Sequence, residues 1–79
     1  MIPKLTEKQK DILMFLSLNP LSGNDAMAKG LYISKNTLRV HMKNLYEKLG
    51  ITGNQFEKRM IIIMKATDLY IKGALGRSG

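Results

Sequence analysis

Residues 34 to 49 hold the side chains whose types and spacing suggest chemistry. At about 100° per residue, a helix over this segment would present one polar face with a single apolar residue. That face holds Asn36, Arg39, Val40, Lys43, Asn44 and Glu47. Arginine and asparagine match base edges in the DNA major groove, and valine can pack on a thymine methyl group. The pattern therefore predicts base-reading residues among them, including Asn36, Arg39 and Val40.

Phosphate contacts are predicted around the same helix. Thr37 lies near its N-terminus, where a hydroxyl can reach a phosphate oxygen. Lys29, Lys35 and Lys48 lie at its edges and could contact the DNA backbone. A solvated face with no function is the competing interpretation, because single exposed apolar residues are common on soluble proteins.

The charge of the chain agrees with a polyanionic partner. The 79 residues carry 13 Lys or Arg and 6 Asp or Glu, a net charge of +7. Residues 29–48 hold five Lys or Arg and one acid, a net charge of +4. Such a length allows one small domain, and such a basic segment is typical of nucleic-acid binding or of a solvated basic surface.

Several classes of function are excluded by what the sequence lacks. There is no cysteine and only one histidine, His41, so a thiolate or all-histidine metal site is excluded. There is also no nucleophile–base pair and no glycine-rich phosphate loop. We therefore predict no catalytic residue, no metal and no cofactor. The longest apolar run, Met60 to Met64, is far shorter than the about 20 residues of a membrane span. Since the N-terminus also lacks an apolar signal core, we expect a cytoplasmic protein without a membrane partner.

Four helices are predicted, and no strand. Their caps and stop signals are polar residues, glycines and one proline. The predicted helices begin after Thr6, after Ser22, at Ser34 and at about residue 54, and they end at Asn19-Pro20, Gly30, Gly50 and Gly73. Thr6 and Gln9 have the spacing of a capping box at the start of the first helix. Thr52 and Asn54 compete as the cap of the fourth helix. We expect an all-α four-helix bundle over residues 1–73 and a flexible C-terminal tail over residues 74–79.

The second and third helices together predict a helix-turn-helix. A short helix, a three-residue turn and a longer helix with a polar face form this motif. The buried stripe of the third helix is predicted to contain Leu38, Met42, Leu45 and Leu49.

The segment from Tyr32 to Ile51 reads YISKNTLRVHMKNLYEKLGI, and it resembles the LuxR-type (GerE-like) DNA-binding domain. The family usually has valine where this chain has Leu38. Further matches are Leu5-Thr6-Glu7, Ile12-Leu13, Leu16, Met27-Ala28 and Leu31, so that the resemblance covers about residues 5–66. It implies a bacterial transcription regulator, associated with the nucleoid, that binds double-stranded DNA as a dimer with its third helix in the major groove.

The resemblance also implies roles for individual residues. Arg39, Val40 and Lys43 stand where the family has base-facing residues. Thr37, His41 and Asn44 stand at positions near the DNA backbone. The chain departs from the family in a first turn that is about two residues longer, in Ala26 and Met27, and in a weak match after Ile51. Most relatives carry an N-terminal receiver or ligand-binding domain, so this sequence is either a stand-alone regulator or part of a longer one.

The fourth predicted helix is apolar on two sides. Phe56, Met60, Ile63 and Tyr70 share one face, and Ile62, Ala66 and Leu69 share another. Such a helix needs two surfaces to bury against, and a second copy of the chain can supply one. We predict a homodimer with Ile62, Ala66 and Leu69 at the interface. The alternative is an interaction module that binds RNA polymerase or another regulator through this helix.

Overall fold

The computed structural model describes residues 4–75 of the chain. It contains four helices and no strand in this part of the chain: α1 Glu7–Leu18, α2 Asn24–Gly30, α3 Lys35–Lys48 and α4 Gln55–Ile71. α1 packs against α4, and α2 packs against α3. The predicted all-α fold with a helix-turn-helix is confirmed. None of these helices combines the length and the apolar character that a membrane span requires.

Side-chain caps define the start of three helices. The Thr6 hydroxyl accepts the Gln9 backbone N–H, and the Thr6 N–H donates to Gln9 Oε1, which confirms the predicted capping box. Ser34 caps α3 by accepting the Thr37 N–H at 3.0 Å. The cap of α4 is Asn54, which forms a capping box with Glu57, so Thr52 is not the cap.

The start of α2 differs from the prediction. Gly23 is the N-cap and makes no side-chain hydrogen bond, so the assignment of Ser22 as the cap was wrong. Ser22 belongs to the preceding turn because its N–H donates to the Asn19 carbonyl at 3.1 Å. Its own carbonyl accepts a hydrogen bond from Arg59. The turn between α1 and α2 therefore holds Ser22 through its backbone N–H and carbonyl, and α2 begins at Asn24.

The core lies between the two helix pairs. Its fully buried side chains come from all four helices: Ile12, Leu13, Leu16, Met27, Leu38, Leu45 and Ile62. The predicted stripe of α3 is confirmed, with Leu49 only partly buried. Gly30 ends α2 for a packing reason, since a Cβ at this position would collide with the Phe15 ring of α1.

The orientation of α4 overturns the predicted dimer interface. Ile62 and Ala66 are fully buried and Leu69 is 7% exposed within a single chain. These residues pack in the core that α4 shares with α1, so they offer no surface to a second copy. The exposed apolar side of α4 is the other one, which carries Phe56 and Met60.

The end of α4 also changes the predicted tail. Gly73 has φ 75°, and the Ala74 N–H donates to the Leu69 carbonyl at 2.9 Å. This left-handed turn sends the chain back over the bundle, where Leu75 is 2% exposed. Ala74 and Leu75 thus belong to the domain, contrary to the predicted boundary at residue 73. Residues 76–79 of the predicted tail, and residues 1–3 of the predicted domain, lie outside the described residues.

Candidate nucleic-acid interface

The buried side chains of α3 determine which of its other side chains face solvent. Leu38, Met42 and Leu45 anchor the helix in the core, which leaves the opposite side chains in solvent. A shallow hollow of about 530 Å³ gathers five residues of this face: Asn36, Thr37, Arg39, Val40 and Lys43. The structure therefore brings all four predicted base-reading residues together, with Thr37 beside them.

The polar groups on this face are largely uncommitted. Arg39 Nη2 donates to Asn36 Oδ1 at 3.4 Å, a long contact that a stronger acceptor can replace. The Lys43 and Asn44 side chains are exposed and have no hydrogen-bond or ion-pair partner among residues 4–75. Val40 is 59% exposed between them. The face thus presents free donors around one apolar contact, which is the combination that major-groove edges recognise.

The N-terminal turn of α3 positions Thr37. The Ser34 hydroxyl accepts the Thr37 N–H and donates its own hydrogen to Thr37 Oγ1 at 2.8 Å. The Thr37 hydroxyl hydrogen is therefore free to donate to a phosphate oxygen. His41 of α3 is half-buried.

The three lysines predicted to contact phosphates have different surroundings. The Lys29 side chain is exposed, and its ammonium has no hydrogen-bond or ion-pair partner in the described part of the chain. Lys35 forms an ion pair of 2.9 Å with Asp25, which joins α2 to α3. Lys48 donates to the Lys4 carbonyl and to Gln9 Oε1, each at 2.9 Å. Its ammonium thus holds the N-terminal segment, and a phosphate would have to compete with both oxygens.

Arg59 is a structural residue of this region that sequence reasoning missed. Its guanidinium donates to one group of the turn between α1 and α2, the Ser22 carbonyl at 2.6 Å, and to two groups of α2, Asn24 Oδ1 at 2.8 Å and Met27 Sδ at 2.9 Å. α4 is thereby fixed against the helix-turn-helix. The available signal was an arginine directly before an apolar run, but its partners are more than 30 residues away in the sequence.

Arg59 also acts on Tyr46 of α3. Burial raises the pKa of the Tyr46 hydroxyl above its ordinary value, and the neighbouring Arg59 guanidinium offsets part of that rise. The Lys58 ammonium lies 5.0 Å from the centre of the Tyr46 ring, within the range of a cation–π contact. The Tyr46 side chain therefore joins α3 to α4.

These features define a helix-turn-helix domain, the class in which the second helix of the motif reads the major groove. Residues 3–60 match the family model described as bacterial regulatory proteins, luxR family. The chain belongs to this family.

Two curated relatives share part of the sequence. One is the probable csgAB operon transcriptional regulatory protein of Salmonella typhimurium, and the other is the CsgBAC operon transcriptional regulatory protein of Escherichia coli. Each is 36% identical over 47 residues, which cover 60% of this chain and 21% of the relative. The matched region thus spans about a fifth of these relatives. No solved structure matches the chain significantly.

Proposed function

We propose that this chain is a sequence-specific, double-stranded-DNA-binding transcription regulator whose α3 enters the major groove. The observation that carries this proposal is the exposed α3 face, where Arg39, Lys43 and Asn36 offer polar groups around Val40. Membership of the luxR family and the transcriptional regulatory role in the names of both relatives support it. Membership of a family of regulatory proteins also argues against a catalytic role. Such a regulator would act in the bacterial cytoplasm, on the nucleoid.

The residues divide by what they would contact. Asn36, Arg39, Val40 and Lys43 would read bases. The DNA backbone would be contacted by residues at the edges of this face: Thr37, His41, Asn44, Lys29 and Lys35. Lys35 would exchange its exposed ion pair with Asp25 for a phosphate, at little loss because such pairs contribute little. We assign Lys48 to holding the N-terminal segment instead, because its ammonium already has two acceptors.

Removing a base-reading side chain should weaken specific binding. We expect Arg39→Ala and Lys43→Ala each to reduce the affinity for a selected operator duplex by about 1–3 kcal/mol and to relax the base preference at one position. Fluorescence anisotropy with labelled duplexes at fixed salt measures both effects.

A matched control exists on α4. Lys65 is an exposed lysine on the opposite side of this helix from Phe56, so Lys65→Ala removes the same charge away from α3. It should leave base preference unchanged. Wild-type affinity and wild-type preference in both α3 variants would refute the assignment of α3 as the reading helix.

The apolar side of α4 is the best candidate for a dimer contact. Phe56, Met60 and Met64 are 72%, 51% and 68% exposed, and with Leu21 they line an open groove of about 630 Å³. A symmetric contact through this side would bury both copies at once. In such a dimer, two recognition helices would meet half-sites about 34 Å apart.

A charge placed on this side should separate the copies. We expect Met64→Asp to convert a dimer to a monomer in sedimentation velocity without unfolding the chain, because the position is exposed in one copy. Lys65→Asp, on the other side of the helix, should remain dimeric. A wild-type chain that is monomeric at all concentrations would rule out the homodimer.

That result would favour the second candidate function. The same apolar residues would then be free to bind RNA polymerase or another regulator, since exposed apolar patches on small domains often mark interaction sites. The base preference of the monomeric chain distinguishes the two functions. A regulator should show such a preference, and an interaction module needs none.

A further inference from the structure

The turn that follows α2, the first helix of the helix-turn-helix, contains a residue in an unfavourable backbone conformation. Tyr32 has φ 58°, and its N–H donates to the Lys29 carbonyl while the next N–H returns to the Ala28 carbonyl. α3 and α4 end in the same way, but there glycines occupy the left-handed position: Gly50 and Gly73. A left-handed backbone is strained for a tyrosine, because its Cβ approaches the following carbonyl oxygen.

The Tyr32 side chain does not stabilise the described fold. It is 94% exposed and has no hydrogen bond or ring contact with residues 4–75. Its neighbours Leu31 and Ile33 pack against the core instead. A glycine would relieve the strain at this position without removing any contact, so the tyrosine requires a reason outside the fold.

The position of Tyr32 suggests that reason. It stands two residues before Ser34, the cap of α3, and between Lys29 and Lys35 in the sequence. The first turn of α3 beside it exposes Thr37. If α3 lies in the major groove, this end of the motif faces the DNA backbone. A phenol can donate a hydrogen bond to a phosphate oxygen without carrying charge.

We propose that Tyr32 is a DNA-contact residue whose hydroxyl donates to a backbone phosphate at the N-terminal end of α3. The inference rests on the proposed function, because it requires that α3 binds DNA. A phosphate held here fixes how far the recognition helix advances along the groove. The strained Tyr32 thus places an uncharged hydrogen-bond donor between Lys29 and Lys35 in the sequence.

Two variants test the proposal in the full chain, with Thr52→Val as the control for loss of an exposed hydroxyl outside α3 and the apolar side of α4. We expect Tyr32→Phe and Tyr32→Gly each to bind every duplex about 5- to 10-fold more weakly at fixed salt, the effect of one lost hydrogen bond. The salt dependence should keep its wild-type slope because no cation is removed. The Tm of Tyr32→Gly should not fall, since glycine accepts this backbone conformation. If the tyrosine side chain stabilised the fold, the Tm of Tyr32→Gly would fall.

The outcomes separate this proposal from the proposed function. Wild-type affinity in Tyr32→Phe overturns the hydroxyl contact, whatever Tyr32→Gly does. If Arg39→Ala still loses binding in that case, α3 remains the reading helix. Absence of any duplex binding by the wild-type chain would overturn both proposals together.

Discussion

Ile62→Ala is expected to lower the free energy of unfolding by about 2–5 kcal/mol, the range for truncating a buried isoleucine. Ile62 is fully buried in the core that α4 shares with α1. The substitution leaves a cavity that the surrounding side chains fill only in part. Small domains have a total stability of about 5–15 kcal/mol, so this loss is a large fraction of it. Urea denaturation followed by far-ultraviolet circular dichroism measures the change.

Met64→Ala is the matched control on the same helix. Because Met64 is 68% exposed, its truncation should change the stability of the monomer by less than about 0.5 kcal/mol. Both variants should be compared at concentrations at which the wild-type chain is monomeric. If Ile62→Ala kept full stability but lost self-association, the orientation of α4 would be wrong.

Arg59→Ala is expected to destabilise the chain by about 2–3 kcal/mol, because hydrogen bonds from a charged donor are lost and their acceptors remain. The arginine donates to Asn24, to the Ser22 carbonyl and to Met27. Removing it frees the first turn and α2 from α4. DNA affinity should then fall as well, although Arg59 is not among the proposed base-reading residues, because the helix-turn-helix loses its support.

Two neighbouring substitutions make this prediction specific. Arg59→Lys keeps the charge but cannot reproduce the planar fork, so its stability should lie between the wild type and Arg59→Ala. Lys58→Ala removes only the cation over the Tyr46 ring, a loss of about 1 kcal/mol or less at this partly exposed site. Equal stability of Arg59→Ala and the wild type would show that the three hydrogen bonds do not hold α2.

The parts of the fold that sequence predicted rest on local signals. The capping box of Thr6 and Gln9 and the cap at Ser34 involve residues three positions apart, so their chemistry is legible in the sequence. The outward face of α3 follows from helical spacing, because its buried side has leucines and a methionine while the other side is mainly polar. Local periodicity was therefore sufficient to place the candidate site.

The features that sequence did not predict depend on long-range packing. Both sides of α4 are apolar, so periodicity alone cannot decide whether Ile62 or Phe56 meets α1. Leu75 is buried because the turn at Gly73 directs the chain back onto the bundle, which composition does not reveal. Ser22 is not the cap of α2 because its N–H closes the preceding turn on the Asn19 carbonyl, and Arg59 of α4 holds the Ser22 carbonyl there. Each difference involves a contact with a residue distant in sequence.

Selection of bound duplexes from a random pool, at about physiological salt, tests the central claim that α3 reads DNA sequence. The wild-type chain and Arg39→Ala should be taken through the same rounds. We predict that the wild-type chain enriches an inverted repeat, with half-sites one helical turn apart, and that Arg39→Ala loses this enrichment. Binding without enrichment, or the same repeat enriched by both proteins, would contradict the role of α3.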